Sequence, residues 1–510
     1  MEGVSSMLVL YFRLSGLFRL SLLCLMAMVF TLGCTVGPDY GRPEITTPES
    51  FSAALPGTEI GLAPLPEEIE HWWTIFDDPI LNQLISEAGE KNLDLRIAIA
   101  RVEEARAFVG VVSGQYYPQV GAGVNASRQR VSEANLTLPG GQSLNSFDIG
   151  VNATWEIDVF GRVRRSVEAA TGEFQATEED RNDVLISVYA EVARNYVVVR
   201  SSQTRLAASQ HNIESQREIV ELTRTRFKHG LASDLDVAQA EQVLASSEAT
   251  VPAIRIRLEN AMHALALLLG REPAALKELL SEPRPIPTLP ETVGVGIPAD
   301  LIRRRPDIRR AERQLAAQTA RVGVATAQLY PSFNLLGAIG LAAGDTSALF
   351  KSGSHTYTLG GGIMWNLFAG GSIRSQIRVE DARTEQALLR YEKTVLNALR
   401  QVEDALVAVA ENTKQREALI RNASAAERSL RLALELYKDG LRDFQSTLDA
   451  ERALFDAVNR AADADGTTVV AVFALYKSLG GGWNPDQPFE PFNNPATDPP
   501  AVGESTNEVK

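Results

Sequence analysis

The chain repeats itself. Phe227-Lys228-His229-Gly230-Leu231-Ala232 returns 210 positions later as Tyr437-Lys438-Asp439-Gly440-Leu441-Arg442. Ala240-Glu241 returns as Ala450-Glu451, and Leu269-Gly270 returns as Leu479-Gly480, in the same register. Upstream the offset becomes 213, with Tyr117-Pro118 matched by Tyr330-Pro331 and Arg96 by Arg309. Glycines, prolines and apolar residues coincide together, which two unrelated Ala- and Leu-rich helices would not produce. The 510 residues therefore predict one architecture built from two similar halves, rather than two or three unrelated domains.

Two periods alternate within each half. From Phe147, Ile149, Val151, Ala153, Trp155 and Ile157 alternate with Asp148, Gly150, Asn152, Thr154, Glu156 and Asp158. Tyr357, Leu359, Gly361, Ile363, Trp365 and Leu367 do the same in the second copy. A period of two puts one apolar and one polar face on a strand. Shorter alternating runs after each Tyr-Pro complete a hairpin in each half, at about 117–160 and 330–369. Strands of about ten residues with aromatic ends suit a transmembrane barrel, whereas the smallest such barrels have about eight strands. Open strand edges are not tolerated in lipid, so four strands in a membrane require several chains to share one barrel.

After each hairpin the period becomes seven. Leu185, Val192, Val199, Leu206, Ile213, Val220 and Phe227 mark a coiled-coil seam along a helix at about 161–228. The companion positions three or four later are largely polar (Gln203 or Ser202, Gln210 or Ser209, Arg217 or Gln216), which predicts a narrow buried seam with wide polar flanks. A helix of that length extends roughly 100 Å. The second copy, at about 371–438, keeps Val395, Val402, Val409, Leu430 and Tyr437 in the same phase, with Arg416 and Ala423 interrupting. Gly230 and Gly440 end these helices, and return helices follow at about 234–269 and 443–479. Pro252 is expected to kink the first return helix.

The ends read differently. Arg13 and Arg19 precede an apolar run from Leu20 to Leu32, too short to span a bilayer as a helix but suited to a signal peptide. It closes on Thr31-Leu32-Gly33-Cys34, which resembles a lipobox with threonine where leucine is usual. The expected division is a leader at 1–33 and an extended segment at 34–70. The first repeat follows at 71–270, a Pro-rich connection at 271–298, the second repeat at 299–482 with a helix at about 306–328, and a disordered tail at 483–510. Cleavage would leave Cys34 as the one cysteine, so no internal disulfide can form.

The formal charge of −14 argues against a nucleic-acid partner. The five histidines are scattered without metal-ligand spacing, no phosphate-binding loop occurs, and no catalytic constellation is visible, so neither enzyme activity nor a metal or other cofactor is expected. One charged cluster stands out after the second glycine turn. Asp443, Gln445, Asp449 and Arg452 occupy places where the first copy has Ser233, Leu235, Gln239 and Gln242. Surface charge at a helix start and an ion-pair clasp at the end of a tube both fit it.

The duplicated halves, the two Tyr-Pro hairpins, Arg305-Pro306-Asp307-Ile308, the turns at Gly230 and Gly440, and Cys34-Thr35-Val36-Gly37-Pro38-Asp39-Tyr40 together resemble the TolC/OprM-type outer-membrane efflux channels, lipoprotein (NodT-like) branch. The resemblance covers roughly residues 34–482. It implies a mixed fold of membrane β-barrel and long α-helical barrel, with four strands per chain and a homotrimer forming twelve strands and a periplasmic tunnel. It implies a passive exit duct for small amphiphilic compounds in the outer membrane, working with a periplasmic adaptor and a resistance-nodulation-division pump of the inner membrane. It also implies lipid on Cys34, and a periplasmic gate at Asp449 and Arg452 together with Gln445 and Asp443. Gln445 stands where some members have a closing leucine. Adaptor contacts would fall on Gly230, Leu231 and Ala232 and on Gly440, Leu441 and Arg442. A channel for type I protein secretion and a lipid-anchored coiled-coil scaffold are the alternatives.

Overall fold

The computed structural model describes residues 34–46, 48–52, 61–63, 69–130, 143–289, 292–294 and 298–485. The expected leader, and the expected tail beyond residue 485, lie outside these. In chain order the strands are β1 (Gly61–Ala63), β2 (Gln119–Arg130), β3 (Ser143–Ile157), β4 (Thr292–Gly294), β5 (Ser332–Ala343) and β6 (His355–Met364). The helices are α1 (Pro79–Lys91), α2 (Leu93–Ser113), α3 (Arg162–Lys228), α4 (Asp234–Leu268), α5 (Lys277–Leu280), α6 (Pro298–Arg304), α7 (Pro306–Ala327), α8 (Ser372–Lys438) and α9 (Phe444–Ser478).

The chain forms two compact units. One holds residues 1–45, 102–177 and 310–394, and the other holds 46–101, 178–309 and 395–510. The first contains a four-stranded antiparallel sheet in the order β2-β3-β5-β6. The two hairpins meet where β3 pairs with β5, and the pairing brings Gly150 opposite Gly340. Backbones approach closely there, because a Cβ on Gly340 would lie 2.4 Å from the Ile149 carbonyl oxygen. In the same unit, α3 and α7 also pack closely at Gly172, where an added Cβ would come within 2.9 Å of the Ala317 Cβ.

The duplication is visible in atomic detail. The Trp155 indole donates to the Tyr116 carbonyl at 2.9 Å, and the Trp365 indole donates to the Leu329 carbonyl at 2.9 Å. Four helix ends share one termination. Gly230, Gly270, Gly440 and Gly480 all have positive φ, and the residue after each donates back five positions, as Leu231 does to Arg226 and Leu441 does to Leu436. This closes the free carbonyls of a helix end in a way that a glycine permits.

The second unit is centred on aromatic residues. Trp72 stacks on Tyr476 at 5.8 Å and meets Phe473 at 5.1 Å, while Trp73 meets Tyr189 edge-on at 4.9 Å. Asp78 caps α1 by accepting from the backbone of Ile80 and Leu81, and also receives the Tyr196 hydroxyl at 2.6 Å. Arg305 is buried, donates twice to Asp307, and also reaches the Gln401 side chain and the Ser478 carbonyl.

Three expectations need correction. The polar companions of the α3 seam are only partly solvated, because Ser202, Gln203, Ser209 and Gln216 are buried while Gln210 and Arg217 are exposed. Other elements cover that side. A Cβ on Gly466 of α9 would touch Ser201, and Gln203 donates to the Leu280 carbonyl at 2.6 Å. At the far end of the seam, Phe227 is 44% exposed. Finally, the fold runs past residue 482, since Trp483 is buried with Leu95, Leu185 and Ile186 and the Arg309 guanidinium lies over its ring. The extended and Pro-rich segments also contribute structure, since β1 and β4 pair in parallel.

Candidate functional site

The sheet has one consistent apolar face. Strand register places Val120 beside Ala153, Ala122 beside Val151 and Val124 beside Ile149. It continues with Val151 beside Ile339, Trp155 beside Leu335, and Ile339 beside Tyr357. Residues paired directly across strands share a face, so the four alternating sets coincide. The opposite face carries Asp148, Asn152, Thr356, Thr358 and many glycines. The apolar face is bare: Val124, Ile339, Tyr357, Leu359 and Ile363 are all exposed, Leu359 at 88%. Among the described residues no helix is long and apolar enough to cross a membrane. An apolar exposed sheet with open edges on β2 and β6 is stable only where lipid covers the face and further strands cover the edges.

Cys34 is exposed and free. The residues after it are strapped to the junction of β3 and α3. Val36 donates to the Phe160 carbonyl at 3.2 Å, Thr35 lies against Gly161, and Gly37 lies against Gly323. Arg165 is buried and donates to the Val36 and Gly37 carbonyls and to Asp39 at 2.6 Å. Tyr40 continues the strap, with its hydroxyl on Glu312 and the Arg313 guanidinium over its ring; burial pushes its phenol up to about 12. The strap thus fixes the residues just after Cys34 at Phe160 and Gly161, and the Phe160 ring stacks on Tyr330 at 4.7 Å.

The two glycine turns project apolar side chains. Leu231 and Leu441 are both exposed, and Ala232 and Arg442 follow them in matching places. The turns are joined, since Arg226 donates to the Lys438 carbonyl at 2.9 Å and covers the Tyr437 ring at 4.7 Å. Behind them Ile219, Val220, Ala240, Val243, Tyr437, Phe444 and Leu448 form a shared core.

The charged cluster divides in two. Asp443 is the N-cap of α9, accepting from the Ser446 backbone and from its hydroxyl at 2.7 Å, and these bonds hold its carboxyl below the usual aspartate range. Ser233 does the same for α4 in a reciprocal pair with Asp236. The neutral-to-acidic change at this position is therefore a change of capping residue. Gln445, Asp449 and Arg452 instead share one exposed face. The Gln445 amide donates to Asp449 at 3.0 Å, and Arg452 stands 3.8 Å from the same carboxylate oxygen.

The opposite face of the same turns carries Phe444, Thr447, Leu448 and Glu451, all buried. Glu451 does not stand out from its neighbours by charge alone. Its place seven residues after Phe444 on an apolar stripe is the signal that identifies it. No group of three or more histidine, cysteine or acidic residues among the described residues could hold a metal ion.

A bare apolar sheet, long seamed helices and paired glycine turns define an outer-membrane channel protein. The profile of the family described as outer membrane efflux protein matches residues 84–271 and 297–481, and the chain belongs to that family. It is 32% identical over 455 residues to nodulation protein T of Rhizobium leguminosarum bv. trifolii, across 89% of this chain and 95% of that one. It is 30% identical over 469 residues to the toluene efflux pump outer membrane protein TtgI of Pseudomonas putida, across 90% and 98%. The solved outer-membrane channel OprN superposes with a TM-score of 0.82 at 36% identity, covering 88% of this chain and all of that one. The protein is an outer-membrane efflux channel, resembles the NodT-like branch, and crosses the membrane through its β-sheet.

Proposed function

We propose that three copies of this chain close one twelve-stranded barrel and act as a passive exit duct. The observation that carries this is the four-stranded sheet, whose apolar face is exposed and whose two edges are open. Four strands cannot close on themselves, and three copies give an even-numbered barrel within the known range. Small amphiphilic compounds are the proposed cargo, in keeping with the apolar solvent named for the Pseudomonas relative. The energy would come from an inner-membrane pump of the resistance-nodulation-division type, coupled through a periplasmic adaptor.

The adaptor would engage the turns at Gly230, Leu231 and Ala232 and at Gly440, Leu441 and Arg442. Asp449 and Arg452, with Gln445, would form the aperture gate, because they combine exposure with mutual polar contacts. Asp443 would support that gate as the cap of its helix. Cys34 would carry lipid, and the strapping of the residues just after it to the strand-to-helix junction supports this reading. The test is electrophoresis of unheated protein from membranes: a trimer band that collapses to monomer on boiling is expected, and monomer alone in unheated samples would exclude the shared barrel.

A further inference from the structure

Glu451 lies on the same turn of α9 as Arg452 but on the opposite side. It is 2% exposed, and its Oε1 has no hydrogen-bond partner. Facing it from α3 is Gln216, also 2% exposed, whose side-chain oxygen has no hydrogen-bond partner. A buried carboxyl with an unpartnered oxygen, set against a buried amide, is costly and calls for a reason. The repeat supplies a comparison: Glu241, the counterpart of Glu451, is exposed and receives the Arg224 guanidinium at 2.6 Å. Burial of this glutamate is thus particular to the helix that bears Asp449 and Arg452.

We propose that Glu451 is a positioning residue, a proton-dependent latch that seats α9 against α3 when neutral and releases it when ionised. Burial pushes its carboxyl up to about 7, with Arg452 and the Gln216 amide acting in the opposite direction. Arg452 is the one charge on α9 that acts on it, and the group facing it from α3 is neutral. Among the described residues no charged group of α4 or α8 contributes. The folded value lies above the ordinary 4.5. The packed state therefore holds its full advantage below about 4.5 and loses it progressively as pH rises to about 7. Release of α9 at neutral pH would free the face carrying Gln445, Asp449 and Arg452. That consequence rests on the gate reading, whereas the latch itself does not.

The test is hydrogen exchange of residues 444–456 in detergent-solubilised full-length protein at pH 5.5 and 8, corrected for intrinsic rates. Wild-type protection should fall at least about tenfold over that range. Glu451→Gln should be independent of pH and as protected as wild type at pH 5.5, and Glu241→Gln should behave as wild type. A wild type without pH dependence, or a Glu451→Gln variant that keeps it, would overturn the latch. If Glu451→Gln does not assemble, infrared spectra of wild type decide. A protonated carboxyl band lost between pH 5.5 and 8 is expected, and its absence at pH 5.5 would overturn the proposal. Conductance of Asp449→Ala bears on the gate alone, so the two failures are distinguishable.

Discussion

The Arg226 guanidinium donates to the Lys438 carbonyl at 2.9 Å and lies over the Tyr437 ring, so a residue of the first repeat closes the helix end of the second. Positive charge is favourable at a helix C-terminus, where carbonyls are unsatisfied. The link holds the two turns together beside the shared apolar core. Arg226→Ala should weaken this contact by about 1–2 kcal/mol. Hydrogen exchange at residues 437–441 should rise, and spontaneous channel openings should become more frequent. Unchanged exchange there would show that the turns are held by the core alone.

The pairing of Gly150 with Gly340 should be intolerant of side chains. Gly340→Val forces a Cβ onto the Ile149 carbonyl and should cost about 1–3 kcal/mol or more in the sheet. Gly123→Ala, where an added Cβ meets nothing, is the matched control. Heat-modifiable protein in outer-membrane fractions should be lost for the first and retained for the second.

Much of this fold was legible because its signals are local. Alternation at Phe147 to Ile157 and at Tyr357 to Ile363 specifies which side chains share a face, and the glycines at 230 and 440 specify where helices stop. Ser202, Ser209 and Gln216 were not legible. Their polarity reads as solvent, whereas their burial is imposed by segments remote in sequence, including α9 and the connection near Leu280. Trp483 was lost for the same reason. It follows three glycines and precedes a polar tail, yet its ring is buried against Leu95 and Ile186. The cluster after Gly440 was half legible: its charge was visible, but the division into a cap, an exposed trio and a buried glutamate depends on the helical face.

Asp443 provides a check on that division. Asp443→Ser keeps a capping oxygen, as Ser233 does in the first copy, and should leave conductance and exchange of the first turn of α9 unchanged. Asp443→Ala should fray that turn. The bonds that depress the Asp443 carboxyl also fix the sign of its pH effect. Its contribution is present above the ordinary aspartate range and is lost as pH falls through the depressed value. If Asp443→Ser alters gating as strongly as Asp443→Ala, the residue acts through its charge.

Lipid on Cys34 would add to, rather than replace, the hold of the sheet on the membrane. Cys34→Ala should abolish incorporation of labelled palmitate while leaving most of the protein in the outer membrane. Release of the variant into the soluble fraction would mean that the strands do not anchor it.

The most direct test of a gated passive duct is single-channel recording of purified protein in planar bilayers. Wild type should give small, infrequent currents, and the Asp449→Ala, Arg452→Ala double variant should give larger and longer openings without any added energy source. No ionic current from the double variant, in protein shown to be assembled, would contradict the account.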